Sequence, residues 1–136
     1  MKIPLAALAD EANVSQEGKL NLLGVFDRIQ AAAFPVLHPR MVFAFRVQTD
    51  YGDAGRTFPV QVRMAAPGGD TLFEAVGEIT GPPVPAGDIA TLNQVFSLVG
   101  VELPREGMYR LTVGIAAEEA EVEFLAQVTA GEGTMN

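Results

Sequence analysis

Asp10, Asn13, Ser15, Lys19, Asn21, Asp27 and Arg28 crowd the stretch ALADEANVSQEGKLNLLGVFDRI, and His38, the one histidine of the chain, follows soon after. Carboxylates, a hydroxyl, an ammonium and an imidazole are the groups that acid–base and nucleophilic chemistry use, provided that they converge on one point. A serine nucleophile needs a base and an orienting acid within hydrogen-bond reach. Neither serine suits that role: Ser15 belongs to the turn-forming SQEG, and Ser97 to the strand-like QVFSLVGVEL. His38, between Leu37 and Pro39, has no second histidine with which to share a metal. No catalytic residue is therefore assigned, and the eight polar residues stand as a candidate ligand or docking region.

Other chemistries lack their parts. Paired acids can cleave glycosides when both face one cleft. Glu74 with Glu78, and Glu121 with Glu123, share strand faces instead, where solvated glutamates belong on a half-buried strand. Calcium takes about six oxygens or more; Asp50 and Asp53 in DYGDAG are too few, and Asp70 in PGGD falls at the far end of the intervening strand. No metal and no cofactor are expected. Carbohydrate platforms rely on exposed aromatics, yet the chain has no tryptophan and, of its two tyrosines, only Tyr51 is out of phase with the core. No glycine-rich loop precedes a helix, as nucleotide hydrolysis would require. A net charge of −8, with seven arginines and two lysines scattered along the chain, opposes nucleic acid and anionic membrane as partners. The absence of cysteine removes disulfides and thiolates and agrees with a cytoplasmic location.

The elements that must position these groups are strands, because the apolar period is two over most of the length. Met41, Phe43, Phe45 and Val47 alternate with polar residues such as Arg46; Phe58, Val60, Val62 and Met64 repeat the pattern, as do Phe73, Ala75 and Ile79. Closing hairpins at Asp50–Gly55 and Pro67–Asp70 sets Phe45 opposite Val60, Met64 opposite Phe73 and Val62 opposite Ala75, a three-stranded meander. Tyr109, Leu111, Val113 and Ile115 pair likewise with 122–128 around a loop at Ala117–Ala120. Ser15–Gly18 turns the first hairpin, with Asn21 near Ala12. The segments QAAAFPVLHPR and GPPVPAGDIATLN, rich in proline, read as crossovers between sheets.

About eight strands in 136 residues suit one core. The expected fold is all-β, a two-sheet antiparallel β-sandwich, Ig-like or jelly-roll-like, with a closed β-barrel as the alternative. The domain is placed at 1–130 and a flexible tail at 131–136. The N-terminal apolar run is closed by Asp10 and Glu11 and reads as mature sequence; no run approaches the ~20 apolar residues of a membrane helix, so a soluble protein is expected.

The runs LADEANVSQEGKLNLLGVFDRI, FPVLHPRMVFAFRV and LPREGMYRLTV together resemble a family of small, mainly bacterial, uncharacterised proteins, over nearly the whole chain. The most specific piece is Ala12-Asn13-Val14-Ser15, Gly18-Lys19-Leu20-Asn21 and Phe26-Asp27. The resemblance implies a single β-sandwich domain and carries over no catalytic residue.

The functional expectation is a non-enzymatic interaction module that self-associates or docks on a protein partner. Its motivation is the apolar residues at nominally outward positions, Val42, Ala44, Val76, Phe96, Leu98 and Leu125, a candidate interface. The alternative is a ligand- or carbohydrate-binding, or weakly hydrolytic, domain. It requires Asp10, Asp27, Arg28 and His38 to meet at one cleft.

Overall fold

Alternation of apolar and polar residues resolves into nine strands among residues 1–129, which this computed structural model describes. They are β1 (Lys2–Val14), β2 (Leu20–Val25), β3 (Arg28–Ala31), β4 (Val36–Asp50), β5 (Thr57–Ala65), β6 (Thr71–Thr80), β7 (Ile89–Leu103), β8 (Gly107–Ile115) and β9 (Glu118–Val128). The segment 131–136, read above as a tail, lies outside the described residues. The strands form two sheets, ordered β2-β1-β4-β7 and β3-β9-β8-β5-β6, and no closed barrel, which removes that alternative. One pairing departs from the expected antiparallel pattern: β3 runs parallel to β9, with Ile29 beside Ala126.

A single hydrophobic cluster joins the inner faces of both sheets, with Leu8, Phe43 and Phe45 from one and Val62, Leu111 and Phe124 from the other. The expected meander is broken here. β5 and β6 pair as the phase demands, Met64 with Phe73 and Val62 with Ala75, but β4 pairs with β1 and β7 instead of β5. DYGDAG is not a hairpin turn. Asp50 caps a 3-10 turn at Tyr51–Asp53, and Gly55 then donates to the Gly81 carbonyl at 2.8 Å, which carries the chain across to the second sheet. Strands that face each other across a core satisfy the same apolar phase as strands that lie side by side.

Two more registers differ. β8 and β9 meet through Ala116 and Ala117, with Ile115 opposite Glu118 and Tyr109 opposite Phe124, a four-residue shift from the pairing of Ile115 with Val122. An even shift leaves every side chain on its face, so periodicity cannot detect it. In the first hairpin Asn13, not Ala12, faces Asn21. The crossovers are also shorter than read. QAAAFPVLHPR contains the end of β3 and the start of β4, and Pro39 is accommodated in that central strand where the β4–β7 ladder skips it and Gly100 (φ 67°).

The first hairpin does not continue its sheet. Asn93 lies opposite Arg46, which lies opposite Leu5, and a straight β1 would carry Val14 about 30 Å beyond that level at ~3.3 Å per residue. Yet Asn93 Nδ2 donates to the Gly18 carbonyl at 2.7 Å. The hairpin tip therefore folds back over the outer face of β4 and β7. Ala9, Val42 and Ala44 are fully buried in consequence.

The β7–β8 corner is fixed by Tyr109, which is buried and stacked on Phe124 with ring centroids 5.1 Å apart. Its hydroxyl accepts from the Arg105 N–H at 3.1 Å and donates to the Arg105 carbonyl. This is a tyrosine corner, a device that pins the turn between two sheets.

Candidate functional site

The structure disperses the polar residues of the first forty. Asn13 Oδ1 accepts from Asn21 Nδ2 at 2.9 Å, and Ser15 Oγ accepts from the Lys19 N–H at 3.1 Å, closing the turn with Gly18 at φ 88°. Asp10 lies against Gly24, where an added Cβ would come within 2.5 Å of its Oδ2. The Asp27 carbonyl accepts from Leu125 N–H at 2.9 Å, and Arg28 reaches Gln127 at 3.4 Å. Asp27 and Arg28 thus sit where the chain joins β9. His38 packs beside Phe26, ring centroids 6.3 Å apart, with its Nε2 buried and unpartnered. Among the described residues, the one hydrogen bond between two side chains of this group joins Asn13 to Asn21.

The acidic residues are likewise tied to structure. Arg110 lies 3.0 Å from Glu123 and 3.4 Å from Glu121, and the Glu123 hydrogen bond, then the two charges, hold its guanidinium pKa above the ordinary value. Glu74 lies opposite Arg63. Asp70 meets Arg105 at 3.2 Å. Asp50 Oδ1 accepts from Gly52 N–H at 2.9 Å. Asp53 Oδ2 accepts from Asp50 N–H at 3.0 Å and lies 3.5 Å from the Met1 ammonium. The Asp50 backbone bond, aided by that ammonium, pulls the Asp53 carboxyl below its ordinary value. Both aspartates of DYGDAG are spent locally.

The candidate interface residues separate into three groups. Val42 and Ala44 are corrected outright: under the folded-back hairpin they are 0% exposed and present no surface. Leu125 is half-buried on β9 beside Arg28. Val76, Phe96 and Leu98 converge on the opening between β6 and β7, the free edges of the two sheets on one side.

A cleft of about 140 Å³ lies between Ala75–Ile79 of β6 and Gln94–Phe96 of β7, floored by Phe45, Val60 and Val62. A second, more open cleft continues from Phe96 along 97–102 and past Leu72 and Phe73. The inward residues Phe73, Ala75, Leu92 and Phe96 are half-buried, whereas their counterparts on β4 and β5 are buried. Val76 and Val99 stand 75% and 76% exposed at the rim.

The strand beside this opening carries little protection. Edge strands present unpaired N–H and C=O groups, and proteins guard them with shortness, charge or proline. β7 spans 15 residues, IATLNQVFSLVGVEL, with Glu102 as its one charge and no proline. By contrast, the β3 edge has four residues, and β6 carries Glu74 and Glu78. Sequence reading picked out Val76, Phe96, Leu98 and the strand-like run from Gln94, but missed Val99 and the start of the strand at Ile89; Phe96 and Leu98, read as outward, turn inward, Leu98 into the core at 6% exposed. The legible signal was the long run from Ile89 with a single charge near its end.

The chain belongs to a family of unknown function, DUF6941, whose sequence model matches residues 4–125. No curated protein and no solved structure matches the chain.

Proposed function

We propose that this family member is a non-enzymatic interaction module, an Ig-like two-sheet sandwich that docks on another polypeptide along the β6–β7 opening. The mode is strand addition: an extended segment pairs its backbone with the free edge of β7 and lays alternate side chains into the clefts. The unguarded length of β7 carries this reading. The shared core of the two sheets and the tyrosine corner at the β7–β8 turn support the sandwich. A small-ligand function has less support. The first cleft, of about 140 Å³, is smaller than the ~300 Å³ at which ligand pockets begin, and neither it nor the more open cleft of about 440 Å³ beside it is lined by any of the polar group from Asp10 to His38.

Selection of a displayed library of random short peptides against the full chain tests the proposal. Sequences with alternating apolar residues are expected to be enriched and to lose binding to the Val99→Lys variant, because an edge lysine opposes strand addition. Ligands that bind that variant as well as the parent would show that this edge is not the docking site.

A further inference from the structure

On the reading that the opening takes an extended segment, we infer that the segment is apolar at alternate positions and basic near each end. Each cleft has one charged residue in its lining, Glu78 in the first and Glu102 in the second, and no basic residue lines either. Neither glutamate takes part in an ion pair among the described residues, although Glu11, Asp70, Glu121 and Glu123 all do. Both are therefore available to a partner.

Their spacing sets the length of that partner. Glu78 shares its cleft with Gln94, and Glu102 lies eight residues beyond Gln94 along β7, about 26 Å from it at ~3.3 Å per residue. A strand of about nine residues with a lysine or arginine at each end spans that distance. Between its ends, side chains at every second position point into the clefts. The first cleft, walled by Ala75 and Gly77 on one side and Val95 on the other, accepts one apolar side chain.

A second copy of this chain has the wrong charge for the place. It carries the same net −8, and its own β7 offers a glutamate where the opening calls for a base. Like-charge juxtaposition suppresses wrong partners and opposite charge steers the right ones.

Two nine-residue peptides of alternating valine and threonine, one capped at both ends by lysine and the other by glutamate, are the probes. They are titrated into the isotope-labelled full chain while the backbone amide resonances are followed. The lysine-capped peptide is expected to shift the resonances of β7 and to bind roughly tenfold more tightly than the glutamate-capped one, the scale of two rim ion pairs gained against two repulsions. The Glu78→Gln, Glu102→Gln double variant should bind the two peptides alike. Equal binding of both peptides by the parent protein would overturn the basic partner and leave the docking reading standing. If neither peptide moved the β7 resonances, both would fall. A concentration-dependent dimer lost in Val99→Lys would make the occupant a second copy and overturn the inference.

Discussion

Replacing Tyr109 by phenylalanine removes one oxygen from the interior and leaves the ring. The ring sits on Phe124 at 5.1 Å with planes 7° apart, so the stacking and the buried apolar area persist, and any loss reports the hydroxyl. That oxygen makes two bonds to Arg105, one accepted from its N–H and one donated to its carbonyl. Each is worth about 1 kcal/mol net, and an orphaned buried group costs about 1–3 kcal/mol. The Arg105 residue is exposed, so water can reach part of the vacated backbone, which sets the expected loss at about 1.5–2 kcal/mol rather than at the upper limit. With ~2.1 cal/mol/K of unfolding entropy per residue over 136 residues, that loss lowers the midpoint by about 5–7 °C. Thermal and urea unfolding followed by circular dichroism measure it. Arg105→Ala, which removes the side-chain contacts to Pro67 and Asp70 but keeps the backbone, should cost less, because exposed ion pairs contribute ~0–1 kcal/mol. A phenylalanine variant within about 0.5 kcal/mol of the parent, the range of neutral surface changes, would refute the corner as a clamp.

Gly81→Ala should destabilise strongly, because the new methyl would lie 2.1 Å from the Asp53 carbonyl oxygen, and a drop in the thermal midpoint with the fold retained is the readout. Acid sensitivity should depend on Asp53. Its folded pKa lies below the ordinary 3.8, so its contribution is complete above that value and is lost as pH falls through the lower, folded one; Asp53→Asn should therefore lose less stability than the parent when urea midpoints are compared between pH 5 and pH 2. Val42→Ala should cost about 2 kcal/mol by removing two fully buried carbons and leaving a void. Val76→Ala, 75% exposed, should stay within about 0.5 kcal/mol, and equal costs at the two positions would contradict the folded-back hairpin.

Period-two alternation is a statement about faces, and what it could tell was limited to faces. It located the strands around Phe43, Val62, Phe73, Leu111 and Phe124, and all five residues turn inward, Phe73 at the half-covered rim. It could not say which strands are neighbours, because Phe45 and Val60 can meet side by side or across a core with the same phase; the DYGDAG turn decided that through its Asp50 cap and its bond to Gly81. Nor could it see the four-residue offset of β9, because Ala116–Ala117 carries none of the glycine or asparagine that marks a tight turn, and Ala116 takes φ 54° regardless. Val42 and Ala44 read as outward correctly by parity. What hides them is a bend in β1, held in place by the distant bond from Asn93 to Gly18, and no local pattern records a contact across 75 residues. The clustered polar group was legible as a turn, since Asn13, Ser15, Gly18 and Asn21 all serve it.

Among the described residues the two sheets have four free edges, β2, β7, β3 and β6. Strand pairing between chains is the default fate of an unprotected edge, so the manner in which each edge is guarded is informative. β3 is four residues long and includes Arg28. β2 has six residues and is drawn back over its own sheet by the hairpin tip. β6 carries two glutamates on ten residues. β7 is longer than any of these, has one charge, and borders a cleft whose inward side chains are half covered. Three edges guarded by different means and one left open is the pattern expected when the open edge has a use. The same logic fixes what must happen on Val99→Lys. If β7 were merely tolerated as an edge, a lysine there would leave strand addition unchanged; if it is a docking strand, the lysine removes binding while the unfolding midpoint holds, because Val99 is 76% exposed and contributes little to the core.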